Sequence, residues 1–196
     1  MIDLIFIHDA GESREEYSDF REAVEARGGY AFGLDLMGHG QYKDVPFALP
    51  PGWTWSHCDP GGQSLWGVGL GAYEALHAAT EKDTYINAVV AFAPLTEAII
   101  RESMSTWDVE IDPDFLWHIE PADLHEVVKR APCPVLYVHA RDDEHVPLSV
   151  SERLHQLTPR SELVVLESGG HSGPARDPAV HKLTLDWLER VLSTAE

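Results

Sequence analysis

The sequence predicts an α/β protein, with a doubly wound, mostly parallel sheet of about six strands and helices on both faces. Three observations carry this reading. Short apolar runs rich in β-branched residues alternate with stretches of helical spacing along most of the chain. No repeat or low-complexity linker interrupts the alternation, and 196 residues suit a single domain, residues 1–196. Apolar residues make up 44% and charged residues 24%, ordinary for a globular chain, which argues against disorder, collagen and coiled coil.

The elements follow in order. Residues 2–8 (IDLIFIH) read as a buried strand. Residues 14–27 have helical spacing, with Tyr17, Phe20 and Val24 on one face, and Gly28–Gly29 stops that helix. Residues 30–36 read as the second strand. Gly38 to Gly62 holds four prolines together with Trp53 and Trp55, and reads as an irregular loop. A short strand, 64–68, runs into a helix at 70–81. Residues 86–93 form another strand, ended by Pro94. Residues 95–130 read as helical pieces broken at Pro113 and Pro121. Then come a strand at 134–140, a helix at 148–157 and a strand at 161–167. A closing amphipathic helix, 178–193, carries Val180, Leu183, Leu185, Trp187, Leu188 and Val191 as its apolar set.

The charge balance excludes several partners. Thirty-three acids against 14 bases give a formal net charge of -19. Such a field repels phosphate backbones and anionic lipid surfaces, so neither nucleic acid nor membrane is expected as a partner. The two cysteines, Cys58 and Cys133, make no disulfide framework. The N-terminal apolar run is too short for a signal peptide or a span, and its flanks are acidic. A soluble cytoplasmic protein, monomer or homodimer, with a small-molecule substrate or ligand and no cofactor, is the expectation.

In a doubly wound sheet ligands bind beyond the carboxyl ends of the strands. There the sequence places His8-Asp9-Ala10-Gly11, then Asp35-Leu36-Met37-Gly38-His39-Gly40, then Gly67-Val68-Gly69-Leu70-Gly71. After the strand at 134–140 comes Arg141-Asp142-Asp143-Glu144-His145, and after the last strand Ser168-Gly169-Gly170-His171-Ser172. These motifs, in this order, resemble the α/β-hydrolase superfamily. The first resembles its HG-x oxyanion loop, the second its D-x-x-G-H-G turn, and the third the G-x-S-x-G nucleophile elbow. Asp143 matches the triad acid and His171 the triad histidine. The resemblance implies a compact hydrolase fold with at most a vestigial lid within about 95–130.

One motif departs from that pattern. Gly69 holds the nucleophile position, and glycine has no side chain with which to attack a carbonyl. Three readings stay open. In the first, an engineered glycine replaces serine in a serine hydrolase of esters, thioesters or amides. His171 is then the general base, Asp143 orients it, and the N–H groups of Ala10 and Leu70 form the oxyanion hole. In the second, the glycine is natural and the protein is a binding scaffold. Gly67-Val68-Gly69-Leu70-Gly71-Ala72-Tyr73 is similar to the non-catalytic N-myc downstream-regulated family, although that family tends not to keep the histidine. In the third, His171 and Asp143 act on water or a substrate proton without an acyl-enzyme. The reading favoured is a site for a small carboxylic ester or thioester, with covalent hydrolysis expected to be absent.

Asp9, Trp107 and Trp117 are expected to contact the substrate. Ser64, inside a strand, and Cys58, in a loop, are poor replacement nucleophiles. His39 is expected to pack its turn. His57-Cys58-Asp59 lacks a second cluster that would complete a metal site, so no metal is expected. The glycines at 67, 69 and 71 do not fit G-x-G-x-x-G, and Ala88 stands where a nucleotide site needs an acid. If Asp35 and Asp143 carry part of the negative field to the strand ends, neutral or cationic substrates are favoured over anionic ones.

Overall fold

Each apolar run becomes a strand because its alternate side chains find an apolar layer on both faces of the sheet. The computed structural model describes residues 1–49, 62–81, 84–115, 119 and 123–193. Among these, six strands pair in one parallel sheet: β1 (Asp3–Ile7), β2 (Tyr30–Leu34), β3 (Gln63–Val68), β4 (Ile86–Phe92), β5 (Val135–Ala140) and β6 (Ser161–Leu166). Their order is β2-β1-β3-β4-β5-β6, every pairing parallel.

Helices cover both faces. On one, α2 (Leu70–Ala78), α3 (Glu97–Ser103), α4 (Leu124–Val128) and α5 (Leu148–Leu157) pack over Ile5, Ile7, Leu65, Val89 and Tyr137. On the other, α1 (Ser18–Glu25) and α6 (Pro178–Ser193) cover Leu4, Phe6, Trp66, Val90 and Val138. Trp66 is fully buried there and stacks on Phe20, with ring centroids 4.4 Å apart. In α6, Val180, Leu185, Trp187 and Leu188 are buried, while Leu183 and Val191 are partly so.

The helix expected over 14–27 divides. Arg14–Tyr17 is a 3-10 turn, opened by the Glu16 carboxylate accepting the Ser13 N–H, and only Ser18–Glu25 is α-helical. The irregular stretch contains a 3-10 turn at Gly40–Tyr42 and a bridge between Phe47 and Ile111. Between β4 and β5 the described chain forms α3, a 3-10 turn at Met104–Thr106, and α4.

Candidate active site

The sheet reverses its strand order between β1 and β3, because β1 pairs with β2 on one side and β3 on the other. Ile7 lies opposite Gly67 in parallel register. Asp9 and Gly69 therefore stand equally far past that pair, side by side at the carboxyl end of the sheet.

Gly69 has φ 52° and ψ -108°, a backbone conformation that glycine adopts without the penalty of a side chain. Its neighbour Gly71 permits close packing: a Cβ there would lie 2.2 Å from the Ile7 carbonyl oxygen. The start of α2 can thus press against the end of β1. A Cβ on Gly69 would meet a different obstacle, the Asp9 Oδ1, at 2.1 Å. The Asp9 carboxylate fills the space that an elbow side chain would take.

Both oxygens of that carboxylate are engaged. Oδ1 accepts the Leu70 N–H at 2.7 Å, and Oδ2 lies 3.0 Å from His171 Nε2. The other ring nitrogen of His171, Nδ1, lies 2.7 Å from Asp143 Oδ2. Asp143 is in turn fixed from below. Its Oδ1 accepts the N–H groups of His145 and Val146 at 2.8 and 2.9 Å, and His139 Nε2 stands 3.4 Å from Oδ2. The adjacent Asp142 is exposed and instead accepts the Gly170 N–H.

These contacts set the charge of the site. Burial opposes charge on His171, but the hydrogen bonds to Asp143 and Asp9 outweigh it and push the imidazole up to about 10. Burial likewise works against the Asp143 carboxylate, and its bonds from His139, His171 and Val146 hold it well below the usual carboxylate range. At neutral pH His171 is an imidazolium clamped between two carboxylates. The Leu70 N–H, expected to await an oxyanion, is bonded to Asp9.

A cleft of about 510 Å3 opens onto this group. Ala10, Leu95, Ile99 and Trp107 give it an apolar wall, and Asp9, Glu12, His145, His171 and Arg176 give it charged or titratable groups. Trp107 thus lies where a substrate contact was expected. Trp117, with Trp53, Trp55 and the His57-Cys58-Asp59 cluster, lies outside the described residues. Ser64 is buried in β3, and Cys133 is buried with its thiol pushed by burial up to about 11.

The remaining candidates shape the loops. His39 Nδ1–H donates to the Met37 carbonyl and its Nε2 accepts the Gly11 N–H at 2.8 Å, pinning the loop that carries Asp9. His8 Nε2 accepts the Leu36 N–H, and burial brings its pKa down to about 4. Asp35 is buried, accepts the N–H groups of Arg14 and Gln41, and has the Arg14 guanidinium at 3.5 Å. It does not line the cleft.

Two neighbours of this group carried no sequence signal. Arg176 Nη2 sits 2.5 Å from Glu12 and 2.6 Å from Glu16, and its guanidinium lies 5.6 Å from the Tyr17 ring centroid. The Tyr17 hydroxyl donates to Glu12, and burial followed by the Glu12 charge holds its pKa well above the usual range. This cluster ties the loop bearing Asp9 to the loop bearing His171. Glu12 and Arg176 are 164 residues apart, so no local pattern announces them. Among the described residues, no group of three or more His, Cys, Asp or Glu side chains could hold a metal ion, and no helix is long and apolar enough to cross a membrane.

Comparison with known proteins agrees with this architecture. A family described as TAP-like protein matches residues 116–191. A protein named as a carbamate hydrolase, RutD of Cronobacter turicensis, is 44% identical over 57 residues, covering 29% of this chain and 21% of that relative. RutD of Escherichia coli O1:K1 is 34% identical over 79 residues, 40% of this chain and 30% of that one. The alignments thus span less than a third of these relatives. Among solved structures, ferulic acid-bound Est1E of Butyrivibrio proteoclasticus superposes with TM-score 0.72 at 19% identity, over 100% of this chain and 88% of that one. A monoacylglycerol lipase of Paleococcus ferrophilus gives 0.75 at 16% identity, over 96% and 94%. At such identities the structural likeness speaks to the fold alone. The strand order, the turn between β3 and α2, and these structural matches give the chain the α/β-hydrolase fold.

Proposed function

We propose that the cleft is a hydrolase-type site for a small carboxylic ester or thioester, in which serine-type acyl transfer is absent. The observation that carries this reading is the Asp143–His171 pair, at 2.7 Å, beside Asp9 and the Gly69 turn, with Asp9 and His171 lining an apolar-walled cleft. The named activity of the sequence relatives, carbamate hydrolysis, is an acyl-group reaction and supports the substrate class. Gly69 offers no hydroxyl, so the serine route lacks its first bond-forming group.

The experiment is an acyl-chain panel of p-nitrophenyl esters and thioesters. It compares the protein itself with a Gly69→Ser/Asp9→Gly double variant. Asp9 must be changed together with Gly69 because its carboxylate stands where the new side chain would go. Activity in the double variant that His171→Ala abolishes supports the reading. Silence of both the parent and a folded double variant across the panel overturns it.

The second reading, a non-catalytic ligand-binding scaffold, draws on one observation: both ring nitrogens of His171 are already engaged by carboxylates. Saturable binding of unreacted esters, without turnover by either protein, favours it.

A further inference from the structure

We propose that Asp9 is the nucleophile of this site, with Oδ2 as the attacking atom and His171 as the acid that releases the leaving group. The proposal rests on the ester or thioester reading above and adds a covalent route that does not need an elbow side chain.

The argument starts from a pair of departures. Where the resembled loop reads HG-x, this chain reads His8-Asp9, and where the resembled elbow carries serine, it has Gly69. The two positions lie side by side, and a Cβ on Gly69 would overlap Asp9. One position has gained a side chain in the volume the other has lost. The group delivered there is a carboxylate, itself an oxygen nucleophile able to form a covalent intermediate.

The bonds around Asp9 match that role. The Leu70 N–H holds Oδ1 at 2.7 Å and fixes the plane of the carboxylate. Oδ2 is the oxygen beside His171 Nε2, and both residues line the cleft. An imidazolium at that point carries the proton the leaving atom needs, and it is freed for transfer as Asp9 gives up its charge to the acyl bond, unlike the neutral base that a serine would require.

The chemistry balances in two steps. Oδ2 attacks the acyl carbon, and the bond from that carbon to the alcohol oxygen or thiol sulfur breaks. The leaving atom takes the Nε2 proton, giving a mixed anhydride on Asp9 and a neutral His171. In the second step His171 takes a proton from water as the water oxygen attacks Asp9 Cγ. The negative charge then forms on Oδ1, the oxygen the Leu70 N–H already holds. Collapse breaks the Cγ–Oδ2 bond and releases the carboxylate product, which leaves with the original Oδ2. The remaining carboxyl proton passes to solvent. One ester and one water become one acid and one alcohol, with no co-reactant.

Placing the oxyanion on Oδ1 makes a prediction that a structural role for Asp9 does not. In a single turnover of p-nitrophenyl acetate by excess protein in oxygen-18 water, the label enters the Asp9 side chain. Mass spectrometry of the Met1–Arg14 tryptic peptide, with fragmentation to locate the label, reads this directly in the unaltered protein. Asp9→Asn abolishes both label and turnover. Label found only in the product acid, or turnover by Asp9→Asn within about twofold of the parent, overturns the proposal. An inactive parent beside an active Gly69→Ser/Asp9→Gly variant makes Asp9 a plug; this overturns the proposal and leaves the ester reading standing. No turnover by either folded protein removes both.

Discussion

If the Asp9 carboxylate occupies the elbow, Gly69→Ser alone should be strongly destabilising, and its cost should depend on residue 9. A Cβ at 69 would sit 2.1 Å from Asp9 Oδ1, far inside contact distance, so the carboxylate must leave. Leaving breaks its bond to the Leu70 N–H, a charged hydrogen bond of roughly 1.5–3 kcal/mol. Holding a non-glycine residue at φ 52°, ψ -108° adds about 1–3 kcal/mol of backbone strain. The sum is about 2.5–6 kcal/mol, and at roughly 2–4 °C per kcal/mol for a chain of this size Tm falls by about 5–24 °C. The assay is a double-mutant cycle in urea unfolding with Asp9→Gly, Gly69→Ser and both together. Removing the displaced carboxylate relieves the conflict, so the double variant should be more stable than the sum of the singles implies, by about 1 kcal/mol or more. Contacting residues show coupling of that order, whereas independent sites add within about 0.5 kcal/mol. Additivity within that margin, or a Gly69→Ser protein as stable as the parent, would mean that Asp9 is not held in the elbow, and the reasoning fails.

Other consequences are open to direct measurement. The His171 pKa is raised from its ordinary value to about 10, so its stabilising contribution is fully present below about pH 6.5 and is withdrawn as pH rises towards 10. Unfolding free energy should therefore decline across that window, and an NMR titration placing His171 near 6.5 would refute the clamp. Asp9→Asn removes one of the two carboxylates and should lower the His171 pKa, read in the same titration. Trp66→Ala empties the fully buried site stacked on Phe20 and should destabilise by roughly 3–5 kcal/mol; a change below about 1 kcal/mol would show that this face of the sheet is not packed as described. Cys133, buried with its thiol raised to about 11, should stay unmodified by an aromatic disulfide reagent in the native state and react on unfolding, as mapped by peptide mass.

The sequence by itself determined the sheet. Six apolar runs, each as long as a strand, with helical spacing between them, lie within a residue or two of the observed elements, because local periodicity and burial on both faces are properties of neighbouring residues. The resemblance of its motifs to the α/β-hydrolases also singled out Gly69, Asp143 and His171, each in a segment that follows a strand. The sequence read less well where structure is set by contacts rather than period, as in the 3-10 turn that opens the first helix.

The tertiary structure decided what the site is. That Asp9 fills the elbow follows from the β1–β3 register, a pairing between segments about 60 residues apart. That His171 is held charged depends on two carboxylates arriving from β1 and β5. That Arg176 joins Glu12 depends on two loops meeting across the strand ends. Period and composition describe residues close in the chain, whereas charge, proton affinity and steric exclusion depend on which distant groups share the same few ångströms, so only the folded chain replaces an empty elbow with an occupied one.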